Sequence, residues 1–171
     1  MATKSKSSSK NVDAISMLQS QHREVEALFA KFEKAKDASQ KEQIFVQIAD
    51  KLAMHAKIEE LHFYPASKDE ETGDLLHEAV EEHLGAKRII ADLLDPGLDD
   101  AVFKAKVKVL QEQIAHHVAE EEKELFPKAK KLLGGEELDE LGERMQEMHA
   151  ELIGEEPRMQ IPGETDEAAH I

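Results

Sequence analysis

The chain has 171 residues, with 22 Lys and Arg against 37 Asp and Glu, a formal net charge of −15, and no Cys. This length fits one domain with tails, large enough to bury about 70% of its unfolded surface. The negative charge opposes nucleic acids, and the lack of Cys excludes disulfides, thiolate metal sites, iron–sulfur clusters and a cysteine nucleophile.

The start of the chain indicates neither secretion nor membrane insertion. Residues 1–11 form a Lys- and Ser-rich polar tail without the apolar core of a secretory signal, and we predict that this tail is disordered. No apolar stretch reaches the roughly 18 residues of a membrane span. The sequence therefore predicts a cytoplasmic protein with neither a membrane nor a nucleic acid as partner.

Apolar residues recur at spacings of three and four along four long segments, which predicts four helices. These helices are predicted over about 13–34, 40–64, 74–94 and 99–132. A capping box of Ser39 with Glu42 is expected to open the second helix, and Gly134 with Gly135 to end the fourth. Short links between long helices predict an all-α fold, an up-down-up-down four-helix bundle over residues 12–133.

The residues after the bundle, 134–171, are predicted to add a short helix over 136–153 and a tail. They carry 12 acids and 2 bases between Glu136 and Ile171, a balance that favours a solvated acidic appendage. The short helix nevertheless has an apolar face at alternating spacings of three and four. It could dock on its own bundle or on a second copy, and the second option predicts a homo-oligomer formed through this helix.

An internal repeat ends the second and fourth helices. Residues 55–65 and 117–127 align without a gap on the pattern H-x-x-x-E-E-x-x-Φ-Φ-P, in which Φ is apolar or aromatic. A His and a Glu four residues apart project from one face of a helix, so both can reach the same ion. The apolar stripes of both helices run through these positions, which predicts that two pairs face the core: His55 with Glu59, and His117 with Glu121.

The first and third helices each add one His on the apolar stripe. His22 precedes His55 by 33 residues and His83 precedes His117 by 34, so the chain consists of two similar helical hairpins. Six unpaired polar groups in a core would cost several kcal/mol, and bare carboxylates more. Two divalent cations about 3.5–4 Å apart, with a bridging hydroxide or oxygen species, would compensate them, and this donor set suits iron, and also manganese or zinc.

These motifs together resemble the hemerythrin-like HHE cation-binding domain over about residues 13–132. The resemblance rests on the inward His22 and His83 of the first and third helices, the two H-x-x-x-E motifs, and the endings E-E-x-x-F-Y-P and E-E-x-x-L-F-P. It implies a non-haem centre of two iron ions (Fe2+/Fe3+) with an oxo or hydroxo bridge, which binds or senses O2 or its reduced forms. It also implies terminal ligands at His22, His55, His83 and His117 and bridging ligands at Glu59 and Glu121.

One departure from the family's oxygen carriers bears on function. Carriers with five His have a second His four residues from the one on the third helix, where this chain has Ala79 and Lys87. The sequence thus favours the subgroup with fewer His and an open or water-filled coordination position. The alternatives are an oxidoreductase that acts on peroxide or O2, a ferroxidase or iron-storage activity, and a purely structural metal site.

Several residues near the repeat have more than one interpretation. His62 could be a fifth ligand, a gate or an exposed residue, with exposure as the default prediction. Tyr64 could donate a hydrogen bond to bound oxygen, with core packing as the default. Three acids are expected to face water, although one of them could accept a proton from a ligand imidazole: Glu60, Glu120 and Glu122.

The repeat also ends on a proline in both copies. Pro65 and Pro127 each remove a backbone donor and are predicted to kink or end the helix just beyond the ligands. The expected consequence is a flared bundle end, which would give oxygen a route to the site.

Overall fold

A computed structural model describes residues 12–171, and the tail predicted to be disordered, 1–11, lies outside them. The described part is all-helical and forms the predicted bundle. Its α-helices are α1 (Ala14–Lys34), α2 (Ala38–Ile58), α3 (Tyr64–Ala66), α4 (Gly73–Leu93), α5 (Asp100–Glu120) and α6 (Phe126–Leu152). Two π-helical turns, Glu59–Phe63 and Glu121–Leu125, and a 3-10 helix, Pro157–Gly163, complete the structure.

Aspartate side chains cap three of the long helices. Asp13 accepts a hydrogen bond from Ser16 N–H at the start of α1, and Asp99 accepts one from Ala101 N–H at the start of α5. The capping box predicted at Ser39 is wrong, because Asp37 caps α2 and accepts from Gln40 N–H. Asp caps a helix as well as Ser does, so the earlier residue defines the start.

Each π-helical turn begins at the Glu of an H-x-x-x-E motif. Tyr64 N–H donates to the carbonyl of Glu59 and Phe126 N–H donates to the carbonyl of Glu121, five residues back in both cases. In an α-helix, a proline ring collides with the carbonyl four residues back. The wider π-helical turn before each proline changes this spacing. The helical path therefore continues through Pro127 and ends after Pro65 only at the end of α3.

The flared bundle end predicted from the prolines is wrong. The aromatic residues beside them are packed in the interior, with Tyr64 at 0% and Phe126 at 3% exposure. They belong to an apolar cluster that α6 closes from outside. A second apolar cluster fills the other half of the bundle around Phe29, Phe45 and Ile90. The polar side chains of the two repeats lie between these clusters.

The chain after Gly134 is not a solvated appendage, so that prediction is corrected. Gly134 adopts φ 70° and ψ 178°, which breaks α6 and turns its second half back along α1. Leu138, Leu141 and Met145 are 3% exposed or less and pack in the first apolar cluster. The helix thus docks on its own bundle, with its acidic residues on the outer face. Assembly through it stays a prediction.

Gly142 marks the closest approach of α6 to the start of α1. A Cβ at this position would lie 2.5 Å from the Val12 carbonyl oxygen and 2.9 Å from Ala14 N. We expect Gly142→Ala to lower the free energy of unfolding by about 1–3 kcal/mol, since a backbone cannot yield as a flexible side chain does. Chemical denaturation measures this change. Gly135→Ala, where a Cβ meets nothing within 4 Å, is the control, and an equal loss there would contradict the contact.

The last residues cross the groove between α2 and α4. Arg158 Nη1 donates to Asp50 Oδ2 of α2 at 2.7 Å, and Lys87 Nζ of α4 lies 3.2 Å from Glu164 Oε2. Between these contacts Ile161 inserts into the second apolar cluster. Within residues 12–171, no helix is long and apolar enough to cross a membrane.

Candidate metal centre

The six residues predicted as ligands converge between the two apolar clusters. Their side chains come from α1, α2, α4, α5 and the two π-helical turns, and none is more than 7% exposed. They form two groups of donor atoms that share one carboxylate, and within each group all donor atoms lie within 4.8 Å of one another. The groups are His22, His55, Glu59 and Glu121, and Glu59, His83 and His117.

The imidazoles meet in pairs through their Nε2 atoms. His22 Nε2 and His55 Nε2 are 3.2 Å apart, and His83 Nε2 and His117 Nε2 are also 3.2 Å apart. Each pair joins the two helices of one hairpin. The internal repeat of the sequence therefore appears in space as two equivalent imidazole pairs.

The opposite nitrogen of every imidazole, Nδ1, contacts a hydrogen-bond acceptor. An Nδ1 that donates a proton leaves Nε2 with a lone pair in the neutral ring. All four lone pairs then point into the centre, as metal ligation requires. The Nδ1 contacts are His22 with Glu122 at 2.8 Å, His55 with Gln21 at 2.7 Å, His83 with Glu60 at 2.9 Å, and His117 with Glu82 at 2.7 Å.

The two carboxylates connect the imidazole pairs. Glu59 Oε1 lies 3.2 Å from His55 Nε2, and its Oε2 lies 3.3 Å from His83 Nε2. Glu121 Oε2 lies 3.2 Å from His22 Nε2 and 3.5 Å from His117 Nε2. Each carboxylate thus reaches from one hairpin to the other, which is the position a bridging ligand occupies.

Two of these carboxylate oxygens are buried without a hydrogen bond, Glu59 Oε1 and Glu121 Oε2. A buried carboxylate oxygen without a partner is costly, so a charge must compensate it. Nitrogen lone pairs and unpaired carboxylate oxygens around one point form the donor set of a metal with imidazole and oxygen ligands. The residues present therefore fit two divalent cations.

Tyr64 completes the buried polar group, and the default prediction of simple packing is too limited. Its hydroxyl donates to Glu121 Oε1 at 2.9 Å and lies 3.2 Å from Glu59 Oε2. Burial raises the pKa of Tyr64 well above the usual value, and the charges of both carboxylates raise it further. The phenol therefore keeps its proton at any physiological pH.

Without a metal, the centre takes up protons instead. Burial alone would lower the pKa of His83, but the hydrogen bonds and charges of Glu59 and Glu60 raise it to about 9. Burial alone would raise the pKa of Glu59, but the imidazoles of His55 and His83 hold it well below its usual value. A proton on His83 thus takes the place of a cation.

We expect metal affinity to fall as the pH is lowered from about 9 to 6.5. Below pH 9 the folded, metal-free chain carries a proton on His83, and the metal must displace it. Each displaced proton changes the apparent affinity by about tenfold per pH unit. Competition of Zn2+ with a chelator at several pH values measures this slope, and a flat profile would contradict it.

A cavity of about 30 Å³ lies against all four imidazoles. A single water needs about 10–15 Å³ on this measure, so the cavity accepts a ligand of about two heavy atoms. Its remaining wall is mostly apolar, and Ile161 of the 3-10 helix forms part of it together with Val25, Leu52, Ile90, Ile114 and Val118. The two carboxylates and Tyr64 are not among its lining residues.

For two of the three acids near the repeat, the default prediction that they face water is wrong. Glu60 and Glu122, expected to face water, are half-buried and accept from ligand imidazoles, whereas Glu120 pairs with the exposed His116. His62 is half-buried and belongs to neither donor group. Gln21 and Glu82 were not predicted to contact the imidazoles. The signal in the sequence was their position, because each directly precedes the inward His of the first helix of its hairpin.

Fold and site together define a helical-bundle protein with a buried centre suited to cations. The sequence profile of the hemerythrin HHE cation-binding domain matches residues 13–129. The chain belongs to this family. No curated protein matches the sequence.

Among solved structures, a hemerythrin HHE cation-binding domain-containing protein from Mycobacterium kansasii superposes with a TM-score of 0.71. Its sequence is 24% identical, and the match covers 84% of this chain and 89% of that one. At this identity the likeness supports the fold.

Proposed function

We propose that this chain holds two iron ions at its six His and Glu side chains and binds or senses O2 or its reduced forms there. The observation that carries this proposal is the orientation of the donors. Four Nε2 atoms face two carboxylates, one of which belongs to both donor groups, and every Nδ1 contacts an acceptor. The lack of thiolate ligands suits iron, which supplies electrons to O2 when bound in such a site.

The cavity supports a small oxygen species as the ligand. Its volume of about 30 Å³ and its largely apolar wall match an uncharged molecule of about two heavy atoms. The buried carboxylates keep the proton on Tyr64. The four Nδ1 acceptors fix the orientation of the imidazole rings.

We expect Ile161→Ala to open this cavity. The substitution removes a buried side chain and should lower the free energy of unfolding by about 2–5 kcal/mol. Azide should then reach the iron-loaded centre faster than in the wild type, as followed by stopped-flow absorbance. Met159→Ala, on the same 3-10 helix but with the side chain 64% exposed, is the control. Equal azide rates in all three proteins would show that Ile161 does not limit access.

An oxidoreductase that acts on peroxide or O2 is the second candidate, and Lys87 favours it. This side chain lines the cavity, and its Nζ donates to Glu60 Oε2 at 2.9 Å. A cationic amine at the cavity wall is a proton source for a reduced oxygen species. Lys87 is one of the two residues at the positions where a five-His carrier would have its second His. It would thus serve catalytic turnover rather than oxygen carriage.

Anaerobic reconstitution with Fe2+, followed by stopped-flow mixing with O2 or H2O2, tests both candidates. A long-lived absorbance change that reverses under vacuum supports binding. Catalytic loss of H2O2, slowed in Lys87→Met, supports the oxidoreductase. No spectral change with either reagent in protein that has taken up iron would overturn both.

A further inference from the structure

The acceptors of the imidazole protons follow the internal repeat in one respect. Glu122 accepts from His22 Nδ1 at 2.8 Å, and Glu60 accepts from His83 Nδ1 at 2.9 Å. Each of these acids directly follows the bridging Glu of the other hairpin. These two contacts are equivalent halves of a pseudo-twofold arrangement.

The surroundings of these two acids are equivalent as well. Arg23 donates to Glu122, and Lys87 Nζ donates to Glu60 Oε2 at 2.9 Å. One cation therefore offsets one carboxylate on each side. This part of the site gives no reason for the two metal positions to differ.

The other two acceptors break the symmetry. Gln21 Oε1 accepts from His55 Nδ1 at 2.7 Å, whereas Glu82 Oε2 accepts from His117 Nδ1 at 2.7 Å. The two acceptors occupy equivalent positions, each directly before the single His of its hairpin. One half of the centre thus has a neutral amide where the other half has a carboxylate.

A carboxylate acceptor makes an imidazole a stronger metal ligand than a neutral acceptor does. The His83–His117 pair has two carboxylate acceptors, while the His22–His55 pair has one carboxylate and one amide. Tyr64 Oη lies 3.3 Å from His83 Nε2, but its single proton is donated to Glu121 at 2.9 Å. The phenol therefore donates no proton to His83 Nε2.

We propose that the two metal positions are unequal, and that Glu82 opposite Gln21 tightens the His83–His117 position enough to outweigh the fourth donor, Glu121, of the His22–His55 group. This inference rests on the proposed binding of two ions. The two residues are positioning residues, because they act on the metal through His117 and His55. Substitutions of such partners change metal affinity by about 10–100-fold, which sets the size of the expected difference.

Stepwise titration of the metal-free full chain with chelator-buffered Zn2+ at pH 9.5, where His83 has lost its proton, tests the proposal, with 15N-histidine NMR to identify which imidazoles respond. In the wild type, the first equivalent should shift His83 and His117 and the second His22 and His55. Glu82→Gln should weaken the tighter position by about 10–100-fold. Gln21→Glu should strengthen the weaker position and bring the two affinities together.

The combined swap Gln21→Glu with Glu82→Gln is the decisive variant, because it keeps the composition and reverses the order of filling. Glu112→Gln is the matched control. It removes one acid from α5 whose side chain is exposed, whereas Glu120 contacts His116, which also contacts Glu82. The control should leave the order unchanged.

The outcomes separate this inference from the proposed function. Two ions that fill both positions together in the wild type, or an order that the swap leaves unchanged, would overturn the inference alone. A reversal also produced by Glu112→Gln would assign the effect to general charge and overturn it as well. Uptake of fewer than two ions by the wild type would overturn the proposed dinuclear centre itself.

Discussion

Replacing Glu59 by Gln is expected to weaken metal binding at both positions by at least about 100-fold. Substitution of a residue that only hydrogen-bonds to a metal ligand typically changes the affinity by about 10–100-fold. Its two oxygens lie 3.2 and 3.3 Å from Nε2 atoms of different hairpins, so one substitution removes a donor from both donor groups. The amide keeps the shape of the side chain but lacks its charge. Calorimetric titration with Zn2+ or Co2+ measures the loss.

Glu60→Gln is the matched control for this prediction, because it removes the same charge from the neighbouring residue. Glu60 accepts from His83 alone among the four imidazoles, so its substitution should weaken one position and spare the other. An effect on both positions as large as that of Glu59→Gln would mean that net charge, and not bridging, governs the affinity.

Metal loading is expected to stabilise the fold strongly. At a metal concentration 1,000 times the dissociation constant, each ion adds about 4 kcal/mol, so two ions add about 8 kcal/mol and raise Tm by about 15–30 °C. Thermal unfolding with and without a chelator measures this difference. The gain should disappear in the double variant Glu59→Gln, Glu121→Gln.

In the metal-free chain, the same double variant should leave the unfolding temperature unchanged or raise it. It removes two buried carboxylates whose oxygens are partly unpaired, and replacement of buried charge by neutral groups is often neutral or stabilising. Above pH 9, where His83 has lost the proton that Glu59 stabilises, the metal-free variant should therefore unfold at or above the temperature of the metal-free wild type. A large loss in the absence of metal would mean that the carboxylates stabilise the fold by themselves.

The stability of the metal-free wild type should depend on pH in a defined direction. The pKa of His83 is raised from 6.5 to about 9, so its contribution is complete below pH 6.5 and is lost as the pH rises through 9. The pKa of Glu59 is lowered, so its contribution is present above pH 4.5 and is lost in acid. The pH dependence of metal affinity has the opposite sign on the alkaline side, because deprotonation there assists the metal.

Much of the bundle and of its centre could be predicted because both depend on helical periodicity. A His and a Glu four residues apart on an apolar stripe must face the core together. The repeat of this pattern indicated that two such faces meet, as His55 and His117 do. The Asp37 cap was missed because two good capping residues compete within a few positions, and sequence does not decide between them.

Other features depend on contacts between distant segments. Each proline predicted a kink or a helix end. The helical path does end one residue after Pro65, but it continues through Pro127, where the preceding π-helical turn absorbs the break. A π-helical turn has no simple sequence signature. The acidic end of the chain predicted solvation from its charge. The structure buries its few apolar side chains, such as Met145 and Ile161, and leaves the acids outside, because burial follows the apolar face and not the net charge.

Anaerobic titration of the metal-free protein with Fe2+, with the protons released counted in parallel, tests the central claim most directly. Two ions taken up per chain, with protons expelled from the imidazoles, are the predicted result. Uptake of one ion or none would contradict a dinuclear centre at these six side chains. So would two ions bound as tightly as in the wild type after Glu59 and Glu121 are both replaced by Gln.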